Sequence, residues 1–324
     1  MKQLTCEMCG STDLVKQDGM FVCQTCGTKY SVEEAKKMMV EGTVRIDNSH
    51  LIDNYLTMAE NAYQSKNQTE AESYCNKIIE IDPNNYKAWG LKGKAAGWSS
   101  TLQNLRFPEA VSAFSKSLLN APEEVKKELV EEYKNEITDL AIATINLRAD
   151  RFKKYPDEDE THGFFNDLRA INDAILSLCK QNKTEYFKDE QIWKRLAEIV
   201  DESVNTALVD VIIPDYKGEF DRTGEQPGKY EFEKFYSRVV SCITLMETAI
   251  EICTEDDESD IKRYNLVISL YDTLRDSAAY DFEYETDIWG NYYKRWYETY
   301  TVSNDMKTRC NQKINEYQQE IKKD

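Results

Sequence analysis

Two histidines, His50 and His162, are all that the 324 residues contain, and neither stands beside a nucleophile motif. That scarcity takes away the commonest general acid–base side chain. Also missing are a Gly-x-x-x-x-Gly-Lys phosphate loop, a Gly-x-Ser-x-Gly elbow and a metalloprotease helix. No catalytic residue is therefore expected, carboxylate or lysine chemistry being the remaining route to an enzyme, and each histidine reads as a surface or cap residue. No apolar run approaches the roughly eighteen residues a membrane helix needs. Met1-Lys2-Gln3-Leu4 enters a cysteine motif at once, which leaves no room for a signal peptide and leads us to expect a cytoplasmic chain away from membranes. Positive charge is short as well. Residues 1–45 hold six basic and six acidic side chains, so the whole net charge of −18 belongs to residues 46–324. Such a body repels a phosphate backbone, which argues against nucleic acid there and leaves it open only for the neutral N-terminal part.

What the chain does have, at its start, is cysteine in pattern. Cys6-Glu7-Met8-Cys9-Gly10 and Cys23-Gln24-Thr25-Cys26-Gly27 repeat one five-residue unit across a thirteen-residue spacer. Cys6, Cys9, Cys23 and Cys26 give a tetrahedral metal four soft ligands, and the glycine after each pair permits the positive φ that such turns need. Four cysteines leave no open coordination position for water, so the reading is a structural zinc site. A redox dithiol pair fits glycine-flanked knuckles less well; an iron centre differs only in which metal is held. Within the spacer, Asp13–Lys16 and Met20–Val22 are strand-like and meet at Asp18-Gly19, a hairpin turn signal. A unit this small cannot bury enough apolar surface to fold alone, so metal binding and folding are expected to be one equilibrium.

These cysteines with Gly10 and Gly27 resemble the zinc ribbon of the transcription factor IIB type. The run Lys29–Met38 resembles the segment that follows it in bacterial ribbon proteins. The resemblance covers about the first forty residues and implies a ribbon that docks on RNA polymerase, yet nothing after residue 45 matches the cyclin-like repeats that accompany it in that family.

Ser31-Val32-Glu33-Glu34 is a capping box that opens a short helix to about Val40, ended by Gly42 and followed by a linker. From residue 50 to 122 an internal repeat emerges: Tyr55, Met58, Ala59, Ala71, Cys75 and Pro83 correspond to Trp89, Gly93, Ala110, Phe114 and Pro122. This resembles the tetratricopeptide repeat, in which two antiparallel helices cross through small residues and proline ends the second. The second copy is five residues longer, which places an insertion at 98–106. Beyond it run apolar stripes of helical period: Val125, Leu129, Tyr133, Ile137, Leu140, Leu147; then Phe164 to Leu178; Trp193 to Val211; Phe232 to Cys253; Tyr264 to Leu274; Met306 to Ile321. Breaks fall at 155–160, near 181–183, at 214–228 and at 254–258. Cys75, Cys179, Cys242, Cys253 and Cys310, odd in number and irregular in spacing, read as buried apolar residues.

The expected fold is mainly α: a small N-terminal β-hairpin zinc ribbon (1–30), a short helix and linker (31–48), two tetratricopeptide-like helix pairs (49–122) and a helical region that extends and caps the array (123–324). Three segments stay open. The aromatic cluster from Tyr280 to Tyr300 is either a recognition surface or a helix packed on both sides. Residues 214–228 are a binding loop or a connection. The acid pairs Asp157-Glu158 and Asp257-Glu258 hold a cation or start helices. The function expected is a non-enzymatic adaptor whose acidic helical surface takes a protein or peptide with a basic segment. The alternative is a transcription-associated factor whose ribbon contacts polymerase or nucleic acid through Lys16, Lys29, Lys36 and Lys37. Oligomeric state does not follow from any of these features.

Overall fold

Asp18 and Gly19 take φ of 50° and 82°, the pair of positive values that a two-residue hairpin turn requires. They fold β1 (Leu14–Gln17) back onto β2 (Met20–Cys23), and β3 (Lys29–Tyr30) completes a three-stranded antiparallel sheet. Ser31 caps α1 (Val32–Met38) reciprocally: its hydroxyl accepts the Glu34 amide at 3.2 Å while the Glu34 carboxylate accepts the Ser31 amide at 2.8 Å. The computed structural model of the protein describes residues 4–38, 49–184, 187, 190–218, 224–252 and 257–322. The expected linker and Gly42 stop lie outside them, as does Cys253. The chain divides into two compact units, Met1–Ile52 and Asp53–Asp324.

The second unit begins within α2 (Ser49–Gln64), which turns at Ser65–Asn67 into α3 (Gln68–Ile81). Lys66 stands at φ 60° in that turn, and Asn67 caps α3 by accepting the Glu70 amide. Ala62, Ala71 and Ala95 form a cluster of their own, so the first helix pair closes on methyl groups. Of the adjacent Met58 and Ala59 in the repeat pattern, Ala59 is buried and Met58 is 47% exposed, so only Met58 departs from the expected core. The second pair is α4 (Tyr86–Trp98) and α5 (Phe107–Asn120), with the insertion between them folded as a tight turn through the Thr101–Asn104 bridge. Arg106 locks that turn. Its guanidinium reaches both Glu72 carboxylate oxygens on α3, at 2.9 and 2.8 Å, and also the Ser99 hydroxyl and Glu109.

On this base stack α6 (Glu123–Phe152), α7 (Glu158–Asn182), α8 (Glu190–Ala207), α9 (Lys229–Ile252), α10 (Asp257–Arg275) and α11 (Asn304–Glu320). One continuous core runs from Phe107 to Ile314. Leu147, assigned to the α6 stripe, faces outward, and Ala141, Ile145 and Ala149 take the inward side. Asp157 caps α7 through the Glu160 amide, so the Asp157-Glu158 pair is a helix start; the side chains of Asp257 and Glu258 lie outside the described residues.

Two further departures from the sequence expectation matter. After Ala207 the helix widens into π-helical turns at Leu208–Ile212 and Pro214–Gly218. The wider turn needs an apolar residue every four or so positions, and Leu208, Ile212 and Tyr216 are the buried ones, where the α period had selected Val211. The start of the expected 214–228 loop is thus helical. Second, the aromatic cluster is not a helix. Ala278–Thr286 and Tyr292–Thr301 are antiparallel strands, β4 and β5, because Tyr280, Phe282 and Tyr284 alternate with Asp281, Glu283 and Glu285 at the period of a strand.

Replacing Gly93 with alanine tests the small-residue crossing. The added methyl would stand 2.6 Å from the Phe114 ring and 3.0 Å from the Ala110 carbonyl. Crowding costs about 1–3 kcal/mol, against about 1 kcal/mol of helix propensity regained. Thermal unfolding of Gly93→Ala is expected below wild type; a higher midpoint would refute the close approach. The Arg106 clip gives a pH signature. The guanidinium holds the Glu72 carboxyl below its usual 4.5, so the stabilisation is full above that value and is lost as pH falls through the lowered one. Glu72→Gln should be less stable at pH 7 by about 1–2 kcal/mol, and the difference should close in acid, read by urea melts at the two pH values.

Candidate metal centre and helical groove

The two cysteine knuckles have the same backbone construction. Gly10 donates its amide to the Cys6 carbonyl and Gly27 to the Cys23 carbonyl, both at 2.8 Å; Cys6 donates to Ser11 O and Cys23 to Thr28 O. Gly10 and Gly27 sit at φ 72° and 76°, where a side chain would be strained. This places the four Sγ atoms of Cys6, Cys9, Cys23 and Cys26 within 4.8 Å of one another, Cys6–Cys26 and Cys9–Cys23 each at 3.6 Å. A tetrahedron with metal–sulfur bonds of about 2.3 Å has edges of about 3.8 Å, so the donor set fits a metal ion as it stands.

Cys6 and Cys23 are buried and Cys9 and Cys26 are exposed. The Tyr30 hydroxyl lies 3.1 Å from Cys6 Sγ, and Leu14 and Phe21 pack beside it. That phenol, then the Cys9 and Met8 amides, bring the Cys6 thiol down to about 6 against the opposing effect of burial. The amide of Cys26, helped by that of Thr25, lowers Cys23. Cys9 runs the other way, to about 12: the Ser11 amide favours its thiolate but is outweighed by the neighbouring Cys26, Cys23 and Cys6 sulfurs and by desolvation. Four adjacent thiolates repel one another, and a divalent cation among them reverses that balance. An ion held by this arrangement would join two turns and a sheet.

Lys16 and Lys29 are not brought together. Lys16 is in register with Phe21, which faces Tyr30, whereas Lys29 pairs with Val22, which faces Val15. Cross-strand partners share a face and successive residues alternate, so the two lysines point to opposite sides of the sheet. Lys36 is exposed on α1; the Lys37 side chain lies outside the described residues.

The second unit carries a groove of about 420 Å³ between α2, α4 and α6, the first helices of successive pairs. Leu56, Leu91 and Leu129 form its apolar floor, and Glu60, Lys87 and Glu128 stand at its rim. Lys94 and Glu132 are paired across it at 2.6 Å. Its charge is mixed, although the chain as a whole is strongly acidic. Sequence periodicity identified Leu129 but not the groove, since Leu56 and Leu91 meet only when the pairs stack. Both histidines are exposed and neither lines it.

No family model matches the chain. Over 205 residues it is 29% identical to the tetratricopeptide repeat and J domain-containing co-chaperone DNJ1 of Fusarium oxysporum f. sp. lycopersici. The match takes in 62% of this chain but 35% of that protein, so the chain spans about a third of the relative's length. Among the described residues no helix is long and apolar enough to cross a membrane.

Tyr30→Phe removes the hydrogen bond to Cys6 while keeping the ring. Metal retention, measured by competition with a chromophoric chelator, is expected to weaken by about tenfold or more, as for other outer partners of metal ligands. Unchanged retention would make the phenol a packing residue only.

Proposed function

We propose that the protein is a non-enzymatic adaptor: a structural zinc ribbon joined to a tetratricopeptide-like body that holds a partner protein or peptide in the groove between α2, α4 and α6. The observation that carries this is the groove itself, with Leu56, Leu91 and Leu129 at its floor and charged residues at its rim, lying between the first helices of successive pairs. The similarity to a co-chaperone named for its tetratricopeptide repeats supports protein binding as the role of the helix pairs. We take the metal to be zinc because four thiolates at tetrahedral spacing, with no open position, suit a closed structural site. A reducing, cytoplasmic setting agrees with these thiolates and with the buried thiols Cys75, Cys179, Cys242 and Cys310. The acidic net charge favours a basic partner segment and salt-sensitive affinity, with the helical body making no use of nucleic acid.

The test is affinity capture with the full-length protein, with Leu56→Glu/Leu91→Glu, and with Cys23→Ser/Cys26→Ser, each assayed for folding and bound metal. The adaptor reading expects one protein partner retained by wild type and by the ribbon variant, and weakened about tenfold or more by the groove variant. Recovery of RNA polymerase or nucleic acid that depends on the ribbon alone would instead establish the transcription-associated reading. Metal analysis of the wild type should give one zinc per chain; visible thiolate-to-iron absorption would replace zinc by iron.

A further inference from the structure

The β4–β5 hairpin is rooted by Ala278 and Ala279, both buried, and by Tyr216, whose hydroxyl donates to the Ala278 carbonyl at 2.5 Å and accepts the Ala278 amide. A register shift after Ala279 marks a bulge, beyond which the two strands run on for seven residue pairs, from Tyr280↔Glu298 to Thr286↔Tyr292, roughly 20 Å of ribbon. Among the described residues no third strand joins either edge. The far end is locked: the Asp287 carboxylate accepts the Trp289 and Asn291 amides at 2.8 Å and the Asn291 side chain at 2.9 Å. Ile288 and Trp289 at this tip are 86% and 79% exposed.

Its two faces differ in kind. One carries Phe282, Lys294 and Trp296, with the Lys294 ammonium 4.3 Å from the Phe282 ring centre and ion-paired to Glu225 of the body. The other carries Asp281, Glu283 and Glu285 from β4 opposite Tyr297, Arg295 and Tyr293 from β5. There the Arg295 guanidinium and the Tyr293 hydroxyl both engage Glu285, at 2.7 and 2.6 Å. Asp281 and Glu283 are exposed; the Asp281 carboxylate accepts the Phe282 amide at 2.8 Å and lies across from Tyr297, and Glu283 lies across from Arg295, which engages Glu285. Carboxylates spaced two residues apart along a strand, with Tyr297 and Tyr293 across from the outer two, match an extended chain with a cation at alternate positions. A cation at the Asp281 end then meets a carboxylate and the Tyr297 ring.

We propose that this acidic, tyrosine-bearing face of the β4–β5 arm is a docking surface for an extended, lysine- or arginine-rich segment of a partner protein. Charge complementarity selects that occupant: the same carboxylates repel an anionic membrane, and a second copy of the arm would set acid against acid. The surface is separate from the α2–α4–α6 groove, and the proposal holds whether or not that groove binds anything.

The experiment uses the full-length protein and a fluorescent alternating lysine–threonine peptide of about ten residues, matched to the strand length, followed by anisotropy at ~50 mM and ~200 mM salt. Saturable, salt-sensitive binding is expected, with no binding of the glutamate–threonine counterpart. Asp281→Asn/Glu283→Gln should weaken it by about tenfold. A charge-matched change on α6, Glu123→Gln/Glu124→Gln, should alter it by less than about twofold. Circular dichroism confirms that each variant is folded. Equal losses in the two variants would reduce the effect to diffuse attraction by the net charge, and absence of saturable binding would remove the site. Vesicles of anionic lipid that bind wild type but not Trp289→Ser would overturn it in favour of a membrane tip. Concentration-dependent dimers dissolved by Trp289→Ser would overturn it in favour of self-association.

Discussion

Three glycines spaced along one face, Gly90, Gly93 and Gly97, put the backbone of α4 against the Tyr133 hydroxyl, the Phe114 ring and Leu140. A methyl group at any of them would lie 2.1 to 2.6 Å from those atoms. The absence of side chains lets α5 and α6 approach α4 closely enough for Phe114 and Tyr133 to stack at 4.6 Å and for the Tyr133 hydroxyl to meet Ser117 at 2.7 Å. The helix loses propensity by carrying glycine, and close packing offsets that loss. Because α7 packs on α5 and α8 on α6, the register set at this crossing is handed on through the body, and the groove between α2, α4 and α6 inherits its width from it.

The two units are stabilised by different physics. The ribbon has a core of Cys6, Cys23 and Tyr30 with Leu14 and Phe21 packed against it, and its four clustered thiolates are placed where one ion could join them. The body has a core of several dozen side chains and uses charge for alignment within it. Arg263 is fully buried, with Asp201 bound through both oxygens and Asp260 at 2.8 Å. Burial nevertheless pushes the Asp201 carboxyl up, which says that desolvation outweighs the guanidinium there. Such a pair adds little net stability, but it ties α8 to α10 at one defined point. Arg148 does the same between α6 and α7 through Asp167 and Glu160.

Where the packing rule changes, exposed surface follows. The π-helical turns rotate Tyr216 inward against Phe235, ring centres 4.0 Å apart, and Tyr216 in turn anchors the first residue of β4. An arm of two strands cannot bury both its faces, so its aromatic residues remain at the surface unless another chain covers them.

The sequence by itself determined whatever rests on local spacing. Cys-x-x-Cys-Gly repeated around Asp18-Gly19 specifies the thiol cluster, knuckles and hairpin together, since each needs only residues a few positions apart. Helix starts at Ser31 and Asp157, the insertion before Phe107 and most apolar stripes were legible for the same reason. The β4 strand was legible in principle, from the alternation Tyr280 to Glu285 and the Asp287–Asn291 turn, but the density of rings masked its period. Tertiary structure alone decided the rest. Met58 is left exposed while Ala62 of the same helix packs against Ala71 and Ala95. Ile212 replaces Val211 because a π-turn shifts the helical phase. Lys16 and Lys29 part because the pleat alternates, and Leu56 joins Leu91 because helix pairs stack. Each of these depends on which distant segment arrives as neighbour, and a local pattern carries no record of that.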